Sequence, residues 1–389
     1  MIDLEAARAL TPGCLDHVFL DSAGSSLPPN PVLDTVIAHL RREAEVGGYR
    51  AAAERADDLA AGYDVFAELL DCAPDEVAFT DSATRSWLSA IDAIPLSAGD
   101  RVLVTRNEYG GNAIPLLRMA KQVGFTVEPI PSTLDGQVDV EAFRALLDDR
   151  VRVVSLVHVP TNGGLVNPVR PIATAAHEVG ALVLLDACQS IGQLPVSAAD
   201  ADIVTGTGRK WLRGPRGTGF LVVRREVRER LRPRLIDLHS AEWTGLAEIE
   251  LRADARVFEL WESGVAERLG LIEAARYALE LGIDAITQAV GERAGRLRGG
   301  LAALPGVQVH DQGDRHCGLV TFTVDGVPAD GVRRLLDAQG ITVTVSSRSS
   351  TRYDMTARDL DHVVRASPHY FVSPEQIDRA VAAVEAIRR

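Results

Sequence analysis

Lysine is almost absent from this chain. Of the 41 basic residues, only Lys121 and Lys210 are lysines, and the remaining 39 are arginines. Chemistry that requires a neutral amine therefore has two candidates, because a guanidinium group stays protonated. The 54 acidic residues outnumber the basic ones and give a formal charge of −13. This excess argues against nucleic acid or an anionic membrane as a partner, and we expect small-molecule ligands.

Long apolar runs and paired cysteines are also missing. No stretch approaches the ~18 consecutive apolar residues of a membrane-spanning helix, and the first residues lack the basic and then apolar pattern of a signal peptide. The four cysteines, at positions 14, 72, 188 and 317, form no Cys-x-x-Cys pair, as expected of reduced thiols. None of the nine histidines lies in a metal-ligand motif. We expect a cytoplasmic protein that binds no metal.

Between about residues 77 and 224, short β-branched apolar runs alternate with amphipathic helical stretches. This alternation is typical of a parallel sheet covered by helices. The predicted strands are Val77–Thr80, Arg101–Thr105, Phe125–Ile130, Val151–Val159, Ala181–Leu185, Asp202–Thr205 and Gly219–Val223. Their mostly apolar composition indicates burial on both faces. We predict an α/β protein with a doubly wound, mostly parallel sheet.

After about residue 250 the pattern changes to a long helical stretch followed by mixed strands and helices. The predicted strands are Gly318–Val324, Ile341–Val345 and Val363–Ala366. Ser373 to Gln376 form a capping box with proline at the first helical position, which predicts a final helix. We therefore predict an N-terminal arm over residues 1–20, a large domain over 21–250 and a smaller C-terminal α+β domain over 251–389.

Two predicted strands end in polar segments, at the edge where open parallel sheets bind ligands. One is followed by Asp186, and the other by a glycine-rich loop that contains Lys210. Taken alone, Asp186 is more typical of a helix cap and Lys210 of a solvated loop. Because lysine is so rare here, Lys210 is favoured as an amine that forms a Schiff base, whereas Lys121 lies in a helical stretch and is predicted to be a surface residue.

This loop does not match the common nucleotide-binding motifs. A Walker motif requires Gly-x-x-x-x-Gly-Lys followed by Ser or Thr, but Lys210 lies between Arg209 and Trp211. No Gly-x-Gly-x-x-Gly segment connects the first strand to a helix.

The segments Asp186–Val196 and Thr205–Gly219 resemble the class V aminotransferase and cysteine desulfurase family of pyridoxal-phosphate enzymes. The resemblance extends from Leu20–Gly24 to Val364–Tyr370 and so covers nearly the whole chain. It implies the fold of type I pyridoxal-phosphate enzymes, with a large cofactor-binding domain and a smaller C-terminal domain. It also implies a homodimer with active sites at the subunit interface.

The resemblance implies roles for individual residues around the cofactor. Lys210 would carry pyridoxal 5′-phosphate and act as acid and base at the substrate Cα, and Asp186 would keep the pyridine nitrogen protonated. Gln189 would hydrogen-bond a polar atom of the ring. Tyr109 would stack on the ring, unless it is an ordinary half-buried loop residue. The residues that would bind the phosphate are Ala83, Thr84, Thr207 and Arg209.

The substrate side is assigned by the same resemblance. Arg365 would bind the substrate carboxylate through its forked guanidinium group. Further predicted substrate contacts are Ser22, Ala23, Thr161 and Tyr49, although the segment around Tyr49 is equally typical of a turn after a helix. Within the family, residues 42–49 and 160–164 are similar to the branch that contains the carbon–sulfur lyase of ergothioneine biosynthesis. Lincosamide-pathway enzymes that process S-linked cysteine conjugates are similar as well.

Two segments depart from the family pattern. Ser346–Arg352 corresponds to the segment that carries the sulfur-accepting cysteine of desulfurases, but it contains no cysteine. Glu259–Ser263 has no clear counterpart of the partner-subunit threonine that binds phosphate. The leading hypothesis is therefore a β-eliminating lyase acting on a cysteine S-conjugate or its sulfoxide. The alternatives are an aminotransferase, an epimerase or a (decarboxylating) oxidative deaminase acting on an amino-acid moiety of a natural product, and a non-catalytic module of the same fold.

Overall fold

The computed structural model describes residues 2–387. Its helices are α1 (Leu4–Ala9), α2 (Gly13–Asp16), α3 (Ser22–Ser25), α4 (Asn30–Val46), α5 (Gly48–Ala53), α6 (Ala56–Leu70), α7 (Ala83–Ala93), α8 (Gly110–Val123), α9 (Val140–Leu146), α10 (Val169–Glu178), α11 (Val265–Leu281), α12 (Ile283–Ala302), α13 (Ala329–Asp337), α14 (Arg352–Ala357) and α15 (Pro374–Ile387). Its strands are β1 (Val18–Phe19), β2 (Val77–Thr80), β3 (Arg101–Val104), β4 (Thr126–Pro129), β5 (Val151–Val157), β6 (Leu182–Asp186), β7 (Ile203–Thr207), β8 (Gly219–Val223), β9 (Ala241–Gly245), β10 (Glu248–Leu251), β11 (Val307–Val309), β12 (Val320–Val324), β13 (Ile341–Thr342), β14 (Thr344–Ser347) and β15 (His362–Ala366). Among the helices within this range, none combines the length and the apolar character that a membrane crossing requires.

A seven-stranded sheet forms the centre of the molecule, in the order β2-β8-β7-β6-β5-β3-β4. The five strands from β7 to β4 are parallel to their neighbours, and β8 is antiparallel to both β7 and β2. All seven strands predicted between residues 77 and 223 are present, with ends shifted by no more than two residues. The predicted mostly parallel α/β sheet is confirmed.

Both faces of this sheet are covered, because successive side chains of a strand point in opposite directions. In β6, Val183 and Leu185 belong to one apolar core, whereas Leu182 and Leu184 belong to a second core on the other face. Ile172 of α10 contributes to the first core. Such two-sided burial explains why the strands are continuous apolar runs.

The C-terminal region contains a second, antiparallel sheet in the order β11-β12-β15-β14. The predicted strand Ile341–Val345 is split, because β13 pairs with β1 whereas β14 pairs with β15. The predicted capping box is confirmed: Ser373 N donates to Gln376 Oε1 at 3.1 Å, and Gln376 N donates to Ser373 Oγ at 3.2 Å.

The predicted domain limits stay a proposal, because packing crosses both of them. β1, from the predicted N-terminal arm, pairs with β13 near the C-terminus. One continuous apolar core contains Val183 and Phe220 of the large sheet together with Phe322 and Val364 of the smaller one. The hairpin of β9 and β10 was not predicted, since most of its side chains are exposed and show no buried face.

The buried guanidinium group of Arg213 joins three parts of the chain. Its Nε donates to Leu27 O at 2.9 Å, and its two outer nitrogens donate to Thr11 Oγ1 at 2.6 Å and Tyr370 Oη at 2.5 Å. The group also lies 4.6 Å from the centre of the Phe371 ring, close enough for a cation–π interaction. Arg213 has a φ of 64°, so these contacts hold the residue in a conformation that favours glycine.

We expect Arg213→Ala to lower the free energy of unfolding by about 3 kcal/mol, because it removes three hydrogen bonds to buried or half-buried acceptors and opens a cavity. Arg213→Gly removes the same contacts but relieves the left-handed backbone. It should therefore be about 1 kcal/mol less destabilising than the alanine variant. Urea denaturation of the full-length protein measures both values. An alanine variant as stable as the glycine variant would contradict the proposed strain.

Candidate active site

The carboxyl ends of β6 and β7 bring the predicted catalytic groups together. β6 ends at Asp186, and the loop after β7 carries Lys210. Lys210 interacts electrostatically with four nearby groups: Asp186, Cys188, Arg209 and Arg365. Burial lowers the pKa of Lys210 below its ordinary value, which increases the neutral fraction of its amine. A neutral amine is the form that attacks an aldehyde.

Two donors orient the carboxylate of Asp186. Asn112 Nδ2 donates to Oδ2 at 2.9 Å, and the backbone N–H of Cys188 donates to Oδ1 at 2.9 Å. Asp186 is 6% exposed. A carboxylate held in this way can accept a further hydrogen bond from the protonated nitrogen of a pyridine ring.

Gln189 is fixed from both ends of its amide. Its Oε1 accepts from Trp211 Nε1 at 2.8 Å, and its Nε2 donates to Ala23 O at 3.0 Å. One N–H of this amide is left for a ligand, so a contact with a polar ring atom stays a prediction. Tyr109 lies directly before α8 and is 43% exposed. Its side chain interacts electrostatically with Arg365. Its ring therefore lies next to the predicted substrate side.

Two of the predicted phosphate ligands, Ala83 and Thr84, begin α7. Ser82 Oγ accepts from Arg85 N at 3.2 Å, while the N–H groups of Ala83 and Thr84 lie in the first turn and have no partner within the helix. Such free N–H groups favour an anion. β8 approaches this turn closely, because a Cβ atom at Gly219 would lie 2.6 Å from Ala83 N.

The other two predicted phosphate ligands have different surroundings. Thr207 Oγ1 donates to Thr218 O at 3.1 Å, so its hydroxyl group must turn to donate to a phosphate. Arg209 donates to Gly24 O and acts on the charges of Asp21 and Arg365. Its guanidinium group is therefore directed toward the predicted substrate side, and its contact with phosphate stays a prediction.

Arg365 lies on β15 and is 8% exposed. One outer nitrogen donates to Thr161 Oγ1 at 2.8 Å, and the other lies 3.3 Å from Asp21 Oδ1. Its Nε is buried and has no hydrogen-bond partner. This open donor is suited to a carboxylate, which would compete with Asp21 for the adjacent nitrogen.

For two predicted substrate contacts, the structure gives only the surroundings, and their contact with a substrate stays a prediction. Tyr49 lies on α5 and is 83% exposed. Ser22 is fully buried, and its Oγ accepts from Ser26 Oγ at 3.2 Å. Both backbone groups of Ala23 are already paired, since its N–H donates to Ser367 Oγ and its carbonyl accepts from Gln189 Nε2, so its contact with a substrate also stays a prediction.

Glu108, a fully buried carboxyl group one residue before Tyr109, was not predicted to belong to the site. Its Oε1 accepts from Asn112 Nδ2 at 3.0 Å and from Tyr109 N at 2.8 Å, and its Oε2 lies 2.8 Å from Ser155 Oγ. Burial raises the pKa of Glu108 to about 8. Glu108 precedes α8 in the chain, and no local pattern distinguishes it from a solvated loop glutamate.

These residues fit pyridoxal 5′-phosphate. A buried lysine, an oriented carboxylate and a helix N-terminus lie around one sheet edge, and they match the aldehyde, the ring nitrogen and the phosphate of that group. The orphan Nε of Arg365 adds a position for the carboxylate of an amino acid.

Comparison with known sequences shows which proteins this chain is similar to. The family model described as Aminotransferase class-V matches residues 18–380. The chain is similar to a Mycobacterium tuberculosis protein named probable hercynylcysteine sulfoxide lyase, with 32% identity, 94% of this chain and 89% of that protein covered. It is also similar to probable cysteine desulfurase 2 of Mycobacterium leprae, with 30% identity over 98% of this chain and 96% of that protein.

Solved structures show the same fold. A cysteine desulfurase from Thermococcus onnurineus NA1 has a TM-score of 0.92 at 23% identity, with 100% of this chain and 98% of that chain covered. The cystine C-S lyase C-DES, in complex with cysteine persulfide, has a TM-score of 0.87 at 24% identity, with 96% and 99% covered.

We expect Gly219→Ala to weaken the affinity for pyridoxal 5′-phosphate by about tenfold, because the new methyl group displaces the first turn of α7. Gly217→Ala is a control two residues earlier, in the loop before β8: a Cβ atom there has no neighbour within 4 Å, but φ is 77°. The control should lose about 1 kcal/mol of stability and keep its cofactor affinity. Titration of the cofactor-free protein measures the affinity, and equal affinities for the two variants would contradict the phosphate assignment.

Proposed function

Because the chain belongs to the class V aminotransferase family, we propose that it is a carbon–sulfur β-lyase that acts with pyridoxal 5′-phosphate. The proposed reaction cleaves a cysteine S-conjugate, or its sulfoxide, to a thiol or sulfenate, pyruvate and ammonia. Relatives named cysteine desulfurase and hercynylcysteine sulfoxide lyase support chemistry at the sulfur of a cysteine-type substrate.

The observation that favours a lyase over a desulfurase is the composition of the segment Ser346–Arg352. Ser349 O would lie 2.4 Å from a Cβ atom at Gly110, so this segment packs directly on the start of α8, next to Tyr109. It presents hydroxyl groups, with Ser347 Oγ and Ser349 Oγ 2.7 Å apart, and it has no thiol that could accept sulfur.

Cys188 does not replace the missing thiol. It lies beside Lys210 and Asp186, and burial raises the pKa of its thiol well above the ordinary value. The reactive form of cysteine is the thiolate. A thiol that stays protonated is poorly suited to take sulfur from a substrate.

In the proposed reaction each residue has a defined task. Arg365 binds the substrate carboxylate, and Asp186 keeps the ring nitrogen protonated. When bound, the cofactor supplies an electron sink for the pair left by the Cα–H bond. Lys210 takes the Cα proton, after which sulfur leaves Cβ with its bonding electrons. The released enamine hydrolyses to pyruvate and ammonia.

We expect S-substituted cysteines or their sulfoxides to yield pyruvate and thiol or sulfenate in equal amounts. Lys210→Ala should lower the rate by about 1,000-fold, because it removes the general base. Arg365→Lys should raise KM about tenfold, because it loses the forked contact. Cys188→Ala should keep its activity.

Alanine and persulfide from free cysteine would instead indicate a desulfurase, and pyridoxamine phosphate without pyruvate would indicate an aminotransferase.

We also propose that the enzyme is a homodimer that uses the hairpin of β9 and β10 as part of its interface. Trp243 and Ile249 are cross-strand neighbours and are 70% and 57% exposed, and Leu246 at the tip is fully exposed. An isolated hairpin is marginally stable, and clustered apolar side chains mark interaction surfaces. A second copy of the chain would cover them.

Sedimentation should show a dimer for the wild-type protein and a monomer for the double variant Trp243→Glu and Ile249→Glu, because two charges oppose burial of this face. Glu242 and Glu250 are paired on the opposite face of the hairpin. Glu242→Gln is therefore the control and should remain dimeric. A dimeric double variant would exclude this face from the interface.

A further inference from the structure

Glu108, Asn112 and Asp186 form one buried polar unit. The two hydrogens of the Asn112 amide are divided between the carboxyl groups, with Nδ2 3.0 Å from Glu108 Oε1 and 2.9 Å from Asp186 Oδ2. Glu108 is 1% exposed and forms no ion pair within residues 2–387. Asp186, from β6, is the charged group that acts on Glu108 from a neighbouring element.

Two negative charges cannot share this position without a cost. Both carboxyl groups are buried, and a second charge so close raises the free energy of the ionised pair. The negative charge is more stable on Asp186, because Asp186 interacts electrostatically with Lys210, whereas no basic group pairs with Glu108 within residues 2–387. The proton of the pair therefore belongs on Glu108.

The hydrogen bonds of Glu108 show where that proton lies. Oε1 already accepts from two N–H groups, those of Asn112 and Tyr109. The proton must be on Oε2, which lies 2.8 Å from the hydroxyl group of Ser155 on β5. A hydroxyl group accepts as readily as it donates. In this state every polar atom of Glu108 has a partner.

We propose that Glu108 is a positioning residue of the cofactor site, which stays protonated and holds Asn112 so that Asp186 is the one ionised carboxylate of the pair. A neutral acid gives Asn112 and the backbone of Tyr109 an acceptor without adding a charge that competes with Asp186 for the ring nitrogen. The inference depends on the role of Asp186 and not on the identity of the substrate.

Glutamine reproduces the protonated acid, because its Oε1 accepts from the same two donors and its Nε2 donates to Ser155. Glu108→Gln should therefore bind pyridoxal 5′-phosphate within about threefold of the wild-type affinity. Glu108→Ala leaves Asn112 and Tyr109 without an acceptor and should weaken binding by about tenfold. If the glutamine variant binds as weakly as the alanine variant, the charge of Glu108 is required and the proposal is wrong.

The pH dependence of stability separates this role from a purely structural one. The pKa of Glu108 rises on folding from 4.5 to about 8, so folding takes up a proton between these values. The melting temperature of cofactor-free wild-type protein should fall from about pH 5 to about pH 8 because of this group, and level off above that range. Glu108→Gln lacks this contribution, so its melting temperature relative to wild type should rise over the same interval.

Glu128→Gln is the control at a glutamate that keeps its charge. Arg101 donates to the two carboxylate oxygens of Glu128 at 2.9 and 2.6 Å, and these hydrogen bonds lower the pKa of Glu128. It is ionised in both the folded and the unfolded chain above about pH 6, so its substitution should shift the melting temperature equally across that range. A Glu108→Gln profile parallel to that of wild type would overturn the proposal.

Infrared spectroscopy of the wild-type protein tests the same point without a substitution. A buried protonated carboxyl group should give a carbonyl band at neutral pH that disappears as the pH rises through about 8, and no such band would overturn the proposal. None of these measurements uses a substrate. If they hold while S-substituted cysteines give no pyruvate, the proposed reaction fails and the role of Glu108 stands.

Discussion

The parallel pairing of β5, β6 and β7 is the constraint on which the rest of the site depends. Since the three strands run in the same direction, Asp186, the lysine loop and the segment after β5 that carries Thr161 emerge at one edge of the sheet. Ligands bind at this edge in open α/β sheets because helix N-termini and strand ends converge there. The apolar cores on both faces keep the strands in register.

At this edge the chain buries several ionisable groups, and each has a specific partner. Asn112 donates to Asp186, and Arg365 donates to Thr161 and Asp21. Glu108 is hydrogen-bonded to Asn112, Tyr109 and Ser155, and its raised pKa favours the protonated form. Burial disfavours charge on all of them. The same desolvation that lowers the pKa of Lys210 therefore raises that of Glu108, and both changes produce neutral groups next to the ionised Asp186.

The fold was largely predictable because its signals are local. The strands of the large sheet are continuous apolar runs, and the last helix begins with a capping box that is recognisable from residues Ser373 to Gln376 alone. β13 and β14 were merged in the prediction, because the change of partner from β1 to β15 depends on strands that are distant in the chain. The hairpin of β9 and β10 was missed because its apolar side chains face outward.

The site was predictable to the extent that motifs carry it. Lys210, Asp186 and Arg365 were identified from their segments and do lie together. Tyr49 and Ser22 were assigned to the substrate by resemblance alone, and this assignment stays a prediction: Tyr49 is exposed on α5, and Ser22 is buried against Ser26. Glu108 was missed, since a glutamate in a loop has no unusual pattern until its burial is known.

The sequence by itself determined which amine can do covalent chemistry. With two lysines, one of them in a helix, the choice of Lys210 needed no coordinates, and Lys121 is indeed exposed at the end of α8. Only the tertiary structure decided the charge state of the groups around it. The protonation of Glu108 and the open Nε of Arg365 depend on burial and on partners distant in the chain, which no local pattern of residues encodes.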